Sequence, residues 1–176
     1  MVNTKQKKEL GAWGEKILDQ WMKHNNWNPI QKNLRIKKGE IDRIYFHKNR
    51  DTKLTRFCIT EVKTSLYYGL KDVEILFTET GVKRYLKQKQ IRNLYRYGEN
   101  LIALLNQHKK SHYKVYLRFF IVLKSGYAAM KITAENLPKS PAIKNCFAGD
   151  DFLIFAIEPE FTKTNARKSL LQTSCY

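Results

Sequence analysis

The chain has 176 residues, 43% of them hydrophobic and 12% aromatic, a composition that indicates a folded protein rather than a disordered one. Lysine and arginine number 33 against 16 acidic residues, and the formal net charge of +17 favours nucleic acid or an anionic membrane surface as partner. No apolar run approaches the roughly 20 residues that span a bilayer, and the basic N-terminus leads into no secretory segment. We therefore expect nucleic acid, no membrane, and a cytoplasmic location. Cys58, Cys146 and Cys175 show neither zinc spacing nor a disulfide framework, which suits a reducing compartment.

Periodicity predicts a mixed α/β core. Apolar residues at helical spacing predict helices over residues 7–25 and 82–107. Runs of apolar and β-branched residues predict strands over residues 29–36, 40–46, 56–63, 115–123, 127–133 and 152–157. This order predicts one domain over residues 7–158, between a mobile basic arm at 1–6 and a polar basic tail at 159–176.

Two segments interrupt this pattern. Residues 66–80 are predicted to be an insertion, in which residues 73–77 have the composition of an extra strand. Residues 138–141 begin and end with proline and are predicted to form a linker.

Acidic residues on two neighbouring strands suggest a cation site. Side chains alternate along a strand, so Glu61 and Lys63 point to one face and Val62 to the other. If the strand that carries Asp42 pairs with this one, two carboxylates and one ammonium converge. Two carboxylates that close repel each other unless a proton or cation lies between them, and Mg²⁺ prefers oxygen ligands. The alternative is a cross-strand ion pair on a solvated face, contributing about 0–1 kcal/mol.

Five short motifs follow one another in the order in which a known protein family has them. They are Gly11-Ala12-Trp13-Gly14-Glu15, Asn33-Leu34-Arg35, Gly39-Glu40-Ile41-Asp42, Glu61-Val62-Lys63 and Arg118-Phe119. Over roughly residues 9–136 the chain thereby resembles the YraN-like branch of the PD-(D/E)xK nuclease superfamily. This resemblance implies a restriction-endonuclease-like fold, in which helices flank a central mixed β-sheet, and metal-dependent hydrolysis of phosphodiester bonds.

The resemblance also implies roles for individual residues. Asp42 and Glu61 would hold Mg²⁺, or Mn²⁺ in its place, together with the backbone carbonyl of Val62. Lys63 would orient a metal-bound water or stabilise the charge of the transition state. Glu15 would be the helix-borne acid that some branches add to the metal site; the alternative is a solvated glutamate paired with a nearby lysine.

Cations near the start of the second long helix are candidates for nucleic-acid contacts. Lys87 falls within the apolar arc of the predicted helix and Gln88 beside it, which suggests a phosphate contact or a water relay. Snorkelling of the lysine is the alternative. The opposite arc combines an aromatic residue with cations that would follow a backbone or stack on bases: Tyr85, Lys89, Arg92 and Arg96. A solvated helix face is the alternative there.

The sequence as a whole favours a Mg²⁺-dependent endonuclease. DNA is favoured over RNA because the superfamily acts mostly on DNA. A non-catalytic nucleic-acid-binding module with the same fold and an RNA-processing nuclease are the alternatives. Nucleases of this fold often pair to cut both strands, so a homodimer is expected, with the apolar strand at 152–157 as a candidate interface.

Overall fold

The computed structural model describes residues 3–36, 39–48, 54–108, 112–126, 132, 137 and 143–158. The helices are α1 (Thr4–His24), α2 (Leu70–Glu74), α3 (Glu79–Tyr85) and α4 (Gln88–Gln107), with a 3₁₀ turn at Ile75–Phe77. The strands are β1 (Asn28–Ile36), β2 (Gly39–Lys48), β3 (Thr55–Tyr67), β4 (Tyr113–Ser125), β5 (Ile143–Ala148) and β6 (Phe152–Ile157). They form one mixed sheet in the order β1-β2-β3-β4-β6-β5, flanked by helices. The predicted α/β class is confirmed, and the architecture fits the restriction-endonuclease-like fold.

Helix α1 begins earlier than the sequence pattern predicted. The backbone N–H of Gln6 donates to Asn3 Oδ1 at 2.8 Å, and the Asn3 N–H donates to Gln6 Oε1 at 3.0 Å. This reciprocal pair is a capping box, which satisfies backbone donors that the first helical turn otherwise leaves unpaired. The helix therefore starts at Thr4, and residues 4–6, which we predicted to belong to a mobile arm, are helical.

The region predicted to be an insertion is helical, and the extra strand predicted at 73–77 is wrong. Residues 70–85 form α2, the 3₁₀ turn and α3. The Thr78 hydroxyl caps α3 by accepting from the Gly81 N–H at 3.0 Å. Gly81 also lies so close to the 3₁₀ turn that a Cβ there would be 1.7 Å from the Ile75 carbonyl oxygen. The residues predicted as a strand thus form the end of α2 and the 3₁₀ turn, and the Thr78 cap starts α3 directly after them.

The helix predicted over residues 82–107 is broken in two. Leu86 ends α3 with φ −95° and ψ 84°, which is not a helical conformation, and α4 starts at Gln88. Lys87 lies between the two helices and is exposed, so its predicted place in an apolar arc is wrong. Tyr85 ends α3 and does not share a helix with the cations of α4.

The described chain divides into two compact units. The α1 unit comprises the described residues of Met1–Trp21, Val62–Lys87 and Phe119–Glu158, and the α4 unit those of Met22–Glu61 and Gln88–Arg118. In the α1 unit, aromatic side chains of α1 pack edge-on against the sheet: Trp21 lies 5.8 Å from Phe120 and Trp13 lies 6.4 Å from Phe152, between ring centroids. These aromatic contacts hold α1 on the sheet.

Strand β6 is an interior strand of the α1 unit. It pairs with β4 on one side and with β5 on the other, and residues 153–157 are buried. An interior strand has no free edge, so the suggestion that it serves a dimer interface is wrong. The sequence analysis missed β5, whose alternating pattern is interrupted by polar residues. The strand predicted at 127–133, apart from Ile132, the linker at 138–141 and the tail at 159–176 lie outside the described residues.

The α4 unit carries the hairpin β1–β2, most of β3, and α4. The buried face of α4 consists of Ile91, Leu94, Gly98 and Ile102, as the helical spacing predicted. A Cβ at Gly98 would lie 2.9 Å from Leu117 Cδ2, so the helix approaches β4 closely there. Helix α4 also packs on β2, which brings its first turn to the acidic residues described next.

Candidate metal centre

Asp42 and Glu61 lie on neighbouring antiparallel strands, each one residue beyond the last paired position of the register. The register between β2 and β3 pairs Ile44 with Ile59 and Arg43 with Thr60. One further step in this register sets Asp42 opposite Glu61. Residues directly opposite each other point to the same face of the sheet, with Cβ atoms about 4.5–5.5 Å apart. The register is thus compatible with the predicted convergence of the two carboxylates, which stays a prediction.

The Glu61 carboxylate is buried and has a donor from α4. Glu61 is 6% exposed, whereas Asp42 is half-buried. Gln90 Nε2, in the first turn of α4, donates a hydrogen bond to Glu61 Oε1. An ionised carboxylate away from water is costly unless it is hydrogen-bonded or paired with a cation, so this contact offsets part of the cost. The positive end of the helix dipole at the same turn acts in the same direction.

A buried arginine holds the backbone at Asp42. Arg43 is 5% exposed, and its Nη1 donates to the Asp42 carbonyl oxygen at 2.7 Å and to Asn33 Oδ1 at 3.3 Å. Asn33 lies between Lys32 and Leu34, which pair with Arg43 and Ile41, and has φ 48°, a left-handed conformation that asparagine tolerates better than most residues. Thr60 Oγ1 donates to the Arg43 carbonyl oxygen at 3.4 Å. These contacts fix the backbone from which the Asp42 side chain projects.

The remaining predicted catalytic residues lie on or beside β3. Lys63 follows Glu61 by two positions and so shares its face of the strand, while the Val62 side chain points to the other face. Glu15 is half-buried on α1. Its neighbour Gly14 lies against Thr64, because a Cβ at Gly14 would be 2.0 Å from Thr64 Oγ1. Helix α1 thus meets β3 one residue after Lys63; the roles of Glu15, Lys63 and the Val62 carbonyl stay predictions.

The side-chain chemistry suits a hard cation with few protein ligands. Among the described residues, no three side chains of His, Cys, Asp or Glu form a group that would enclose a metal. Mg²⁺ is commonly bound by one or two carboxylates, with water and substrate phosphate supplying the other oxygens. Gln90 Oε1 is buried, and no described residue donates a hydrogen bond to it. An acidic pair next to an unsatisfied amide oxygen fits Mg²⁺ or Mn²⁺ better than Zn²⁺.

Part of the predicted nucleic-acid contact set lies on one side of α4. Lys89 and Arg92 are exposed, and the half-buried Arg96 follows Arg92 by one turn, with its Nη2 donating to Asn93 Oδ1 at 3.0 Å. Gln88 is the first residue of α4 and is exposed. These residues are close in sequence to Gln90, which contacts Glu61. The α4 cations are therefore grouped as predicted, without Tyr85.

Curated proteins match most of the chain. A UPF0102 protein of Clostridium botulinum is 30% identical over 115 residues, which cover 62% of this chain and 90% of that protein. The chain belongs to the UPF0102 family. A UPF0102 protein of Treponema denticola is 25% identical over 139 residues, or 78% of this chain and 97% of that protein. One from Caldanaerobacter subterraneus is 34% identical over 71 residues, or 40% of this chain and 55% of that protein. No protein-family model matches the chain.

Membership of UPF0102 confirms the YraN-like resemblance. The names of these UPF0102 relatives state no activity, so they establish the family and not the chemistry. Among the described residues, no helix has the length and apolarity that a bilayer-crossing segment needs.

The structure adds side chains that the sequence analysis did not assign to the site. Gln90 contacts Glu61 from a separate element 29 positions away in sequence, so only the packing of α4 reveals it. Arg43 follows Asp42 directly and shares a strand face with Ile41 and Tyr45, which are buried. A charged residue between two apolar residues of a buried face was a signal that the sequence offered. Asn33 was noted in a motif but given no role, because a left-handed backbone cannot be read from residue type alone.

Proposed function

We propose that this UPF0102 protein is a metal-dependent nuclease that hydrolyses phosphodiester bonds, with DNA as the favoured substrate. The carboxylates of Asp42 and Glu61, on neighbouring strands, carry the proposal, because they form an acidic pair in a protein with a net charge of +17. An acidic pair is otherwise unfavourable for binding a polyanion. A divalent cation between the carboxylates would remove this conflict and attract the phosphate as well.

Each residue of the site would then have a distinct part. Asp42 and Glu61 would hold Mg²⁺ or Mn²⁺, with the Val62 carbonyl as the further predicted ligand. The cation would supply a nucleophile from bound water and neutralise phosphate charge. Lys63, on the same face of β3 as Glu61, would place its ammonium next to the attacking water and the scissile phosphate. Glu15 would assist from α1 as a further acid.

The substrate would approach over the exposed cations of α4. Lys89 and Arg92 are exposed, and with Arg96 they would neutralise successive phosphates. Lys87 and Gln88, at the junction before α4, would contact the backbone next to them. A cytoplasmic location and a homodimer that cuts both strands belong to the same proposal; the composition supports the first and the chemistry of duplex cleavage the second.

Cleavage assays test the proposal directly. Supercoiled plasmid, branched DNA and structured RNA are incubated with purified protein in Mg²⁺, in Mn²⁺ and in EDTA. We expect cutting that needs the metal, prefers DNA, and is lost in Asp42→Ala and in Asp42→Asn while nucleic-acid binding persists. The asparagine variant matters because it keeps the shape of the side chain and removes only its charge.

Other outcomes of this assay identify the alternatives. Binding without metal-dependent cutting in every condition would indicate the non-catalytic binding module. Cutting confined to the RNA would indicate the RNA-processing nuclease, with the same acidic pair but another substrate. Cutting that is equal in wild type and Asp42→Asn would come from a contaminant or another site and would contradict the proposal.

A further inference from the structure

Gln90 reaches the Glu61 carboxylate from outside the sheet. It lies in the first turn of α4, directly before the buried residue Ile91, and its Nε2 donates to Glu61 Oε1. Residue Gln90 as a whole is half-buried, yet its Oε1 atom is buried and no described residue donates to it. One amide group thus contacts the carboxylate through its nitrogen and leaves a buried oxygen beside it.

The orientation of this amide follows from chemistry. An ionised carboxylate only accepts hydrogen bonds, so the amide nitrogen must face Glu61 and the oxygen must point away from it. The reverse orientation would set two acceptors against each other. The amide oxygen is consequently fixed near the Glu61 carboxylate, where a buried acceptor without a donor is unfavourable.

We propose that Gln90 is the third side chain of the Asp42–Glu61 cation site: its amide nitrogen orients Glu61 and its amide oxygen supplies a neutral ligand to the cation. This inference rests on the proposed function. A divalent cation would satisfy the carboxylates and the amide oxygen together, since Mg²⁺ and Mn²⁺ bind both kinds of oxygen. Gln90 is a positioning residue for Glu61 and, through its oxygen, a ligand of the metal.

The packing of α4 makes this role sensitive to geometry. Ile91 and Leu94 are 4% and 0% exposed, so the helix is anchored immediately after Gln90. A well-anchored first turn gives the amide a fixed position relative to β3. Partners that orient a metal ligand typically change metal affinity by about 10–100-fold when they are removed.

Calorimetric titration of the full-length protein with Mn²⁺ tests the inference without requiring turnover. Gln90→Met keeps the length of the side chain but removes both donor and acceptor. We expect Mn²⁺ affinity to fall about tenfold or more. The matched control is Gln107→Met, the same substitution at the exposed last residue of α4, which should bind Mn²⁺ as wild type does. Circular dichroism and melting curves verify that both variants fold.

Gln90→Glu separates a ligand role from a purely structural one. It also keeps the inference testable if Gln90→Met does not fold. It restores an oxygen at this position and adds a negative charge near Glu61. We expect it to bind Mn²⁺ about fivefold or more tightly than Gln90→Met, because an added anionic oxygen ligand raises affinity. Its melting temperature without metal should be lower than that of wild type, and Mn²⁺ should raise it further than it raises wild type.

The possible results are distinguishable. If wild type binds Mn²⁺ and Gln90→Met binds it equally well, the inference is overturned while the proposed nuclease stands. If Gln90→Glu binds as weakly as a folded Gln90→Met, the amide oxygen is not a ligand and the inference is overturned in that form. If wild type binds no Mn²⁺ at millimolar concentration, both the inference and the proposed function fail.

Discussion

Strands β3 and β4 both contain a long buried run, but they bury different chemistry. In β4, residues 115–123 are buried and only Arg118 among them is charged, with its guanidinium carbon 5.2 Å from the centre of the Tyr116 ring. In β3, the shorter buried run at 58–62 contains Thr60 and Glu61 side by side. A sheet that needed only stability would not bury a carboxylate. Features that lower stability in this way are expected at functional sites, and this contrast supports the proposed site on β3.

The largest effect we expect is loss of activity in Glu61→Gln. Glutamine keeps the shape of the side chain and an oxygen that can accept from Gln90, but it removes the charge that would hold the cation. Metal-dependent cleavage should fall at least about a thousandfold, which corresponds to about 4 kcal/mol of activation free energy. The free energy of unfolding should stay the same or rise. If Glu61→Gln unfolds more easily than wild type and still cuts DNA, Glu61 serves stability and not the reaction, which would contradict the contrast between β3 and β4.

Truncation of a buried side chain in β4 should lower the free energy of unfolding, which Glu61→Gln is expected to leave the same or raise. Phe120 is 0% exposed and packs on Trp21, so Phe120→Ala should lower the free energy of unfolding by about 3–5 kcal/mol. Phe147→Ala is the matched control, because Phe147 also contacts Trp21 but is 41% exposed. Its cost should be about 1 kcal/mol. Chemical denaturation measures both; equal losses would contradict the burial of Phe120 in the core.

The contact between α1 and β3 offers a third comparison within one helix. Gly14→Ala places a methyl group into Thr64, and such overpacking typically costs about 1–3 kcal/mol. Gly11→Ala meets no atom within 4 Å, so the better helix propensity of alanine should raise stability by about 0.5–1 kcal/mol. Opposite signs in thermal unfolding are expected. The same sign at both positions would contradict the close approach at Gly14.

The smallest effect concerns substrate binding. Replacing exposed Lys89 and Arg92 by glutamine should weaken DNA binding and lower the slope of log affinity against log salt by about 1.4–1.8 for two lost phosphate contacts. The control replaces Lys16 and Lys23, which are exposed on α1. Fluorescence anisotropy at several salt concentrations measures the slopes. An unchanged slope for the α4 variant would remove this helix face from the proposed substrate path.

Much of this arrangement was predictable from local sequence, and the part that was not depends on packing. Strands β2 and β3 followed from their apolar and β-branched runs, and the shared face of Glu61 and Lys63 followed from alternation, since the side-chain period of a strand is fixed. The break at Leu86 was missed because helical spacing of apolar residues continues through it, although the backbone does not. Gln90 was missed for a different reason: its contact with Glu61 depends on where α4 is anchored, and no local pattern encodes that.

The most direct test of the central claim is a Mn²⁺ titration, followed by electron paramagnetic resonance, of wild type, Asp42→Asn, Glu61→Gln and the double variant. If the two carboxylates share one cation, wild type binds one ion tightly. Each single variant should then lose that binding, and the double variant should be little worse than either one, because the residues act as a unit. Single variants that bind as tightly as wild type would contradict the account, and so would losses that simply add.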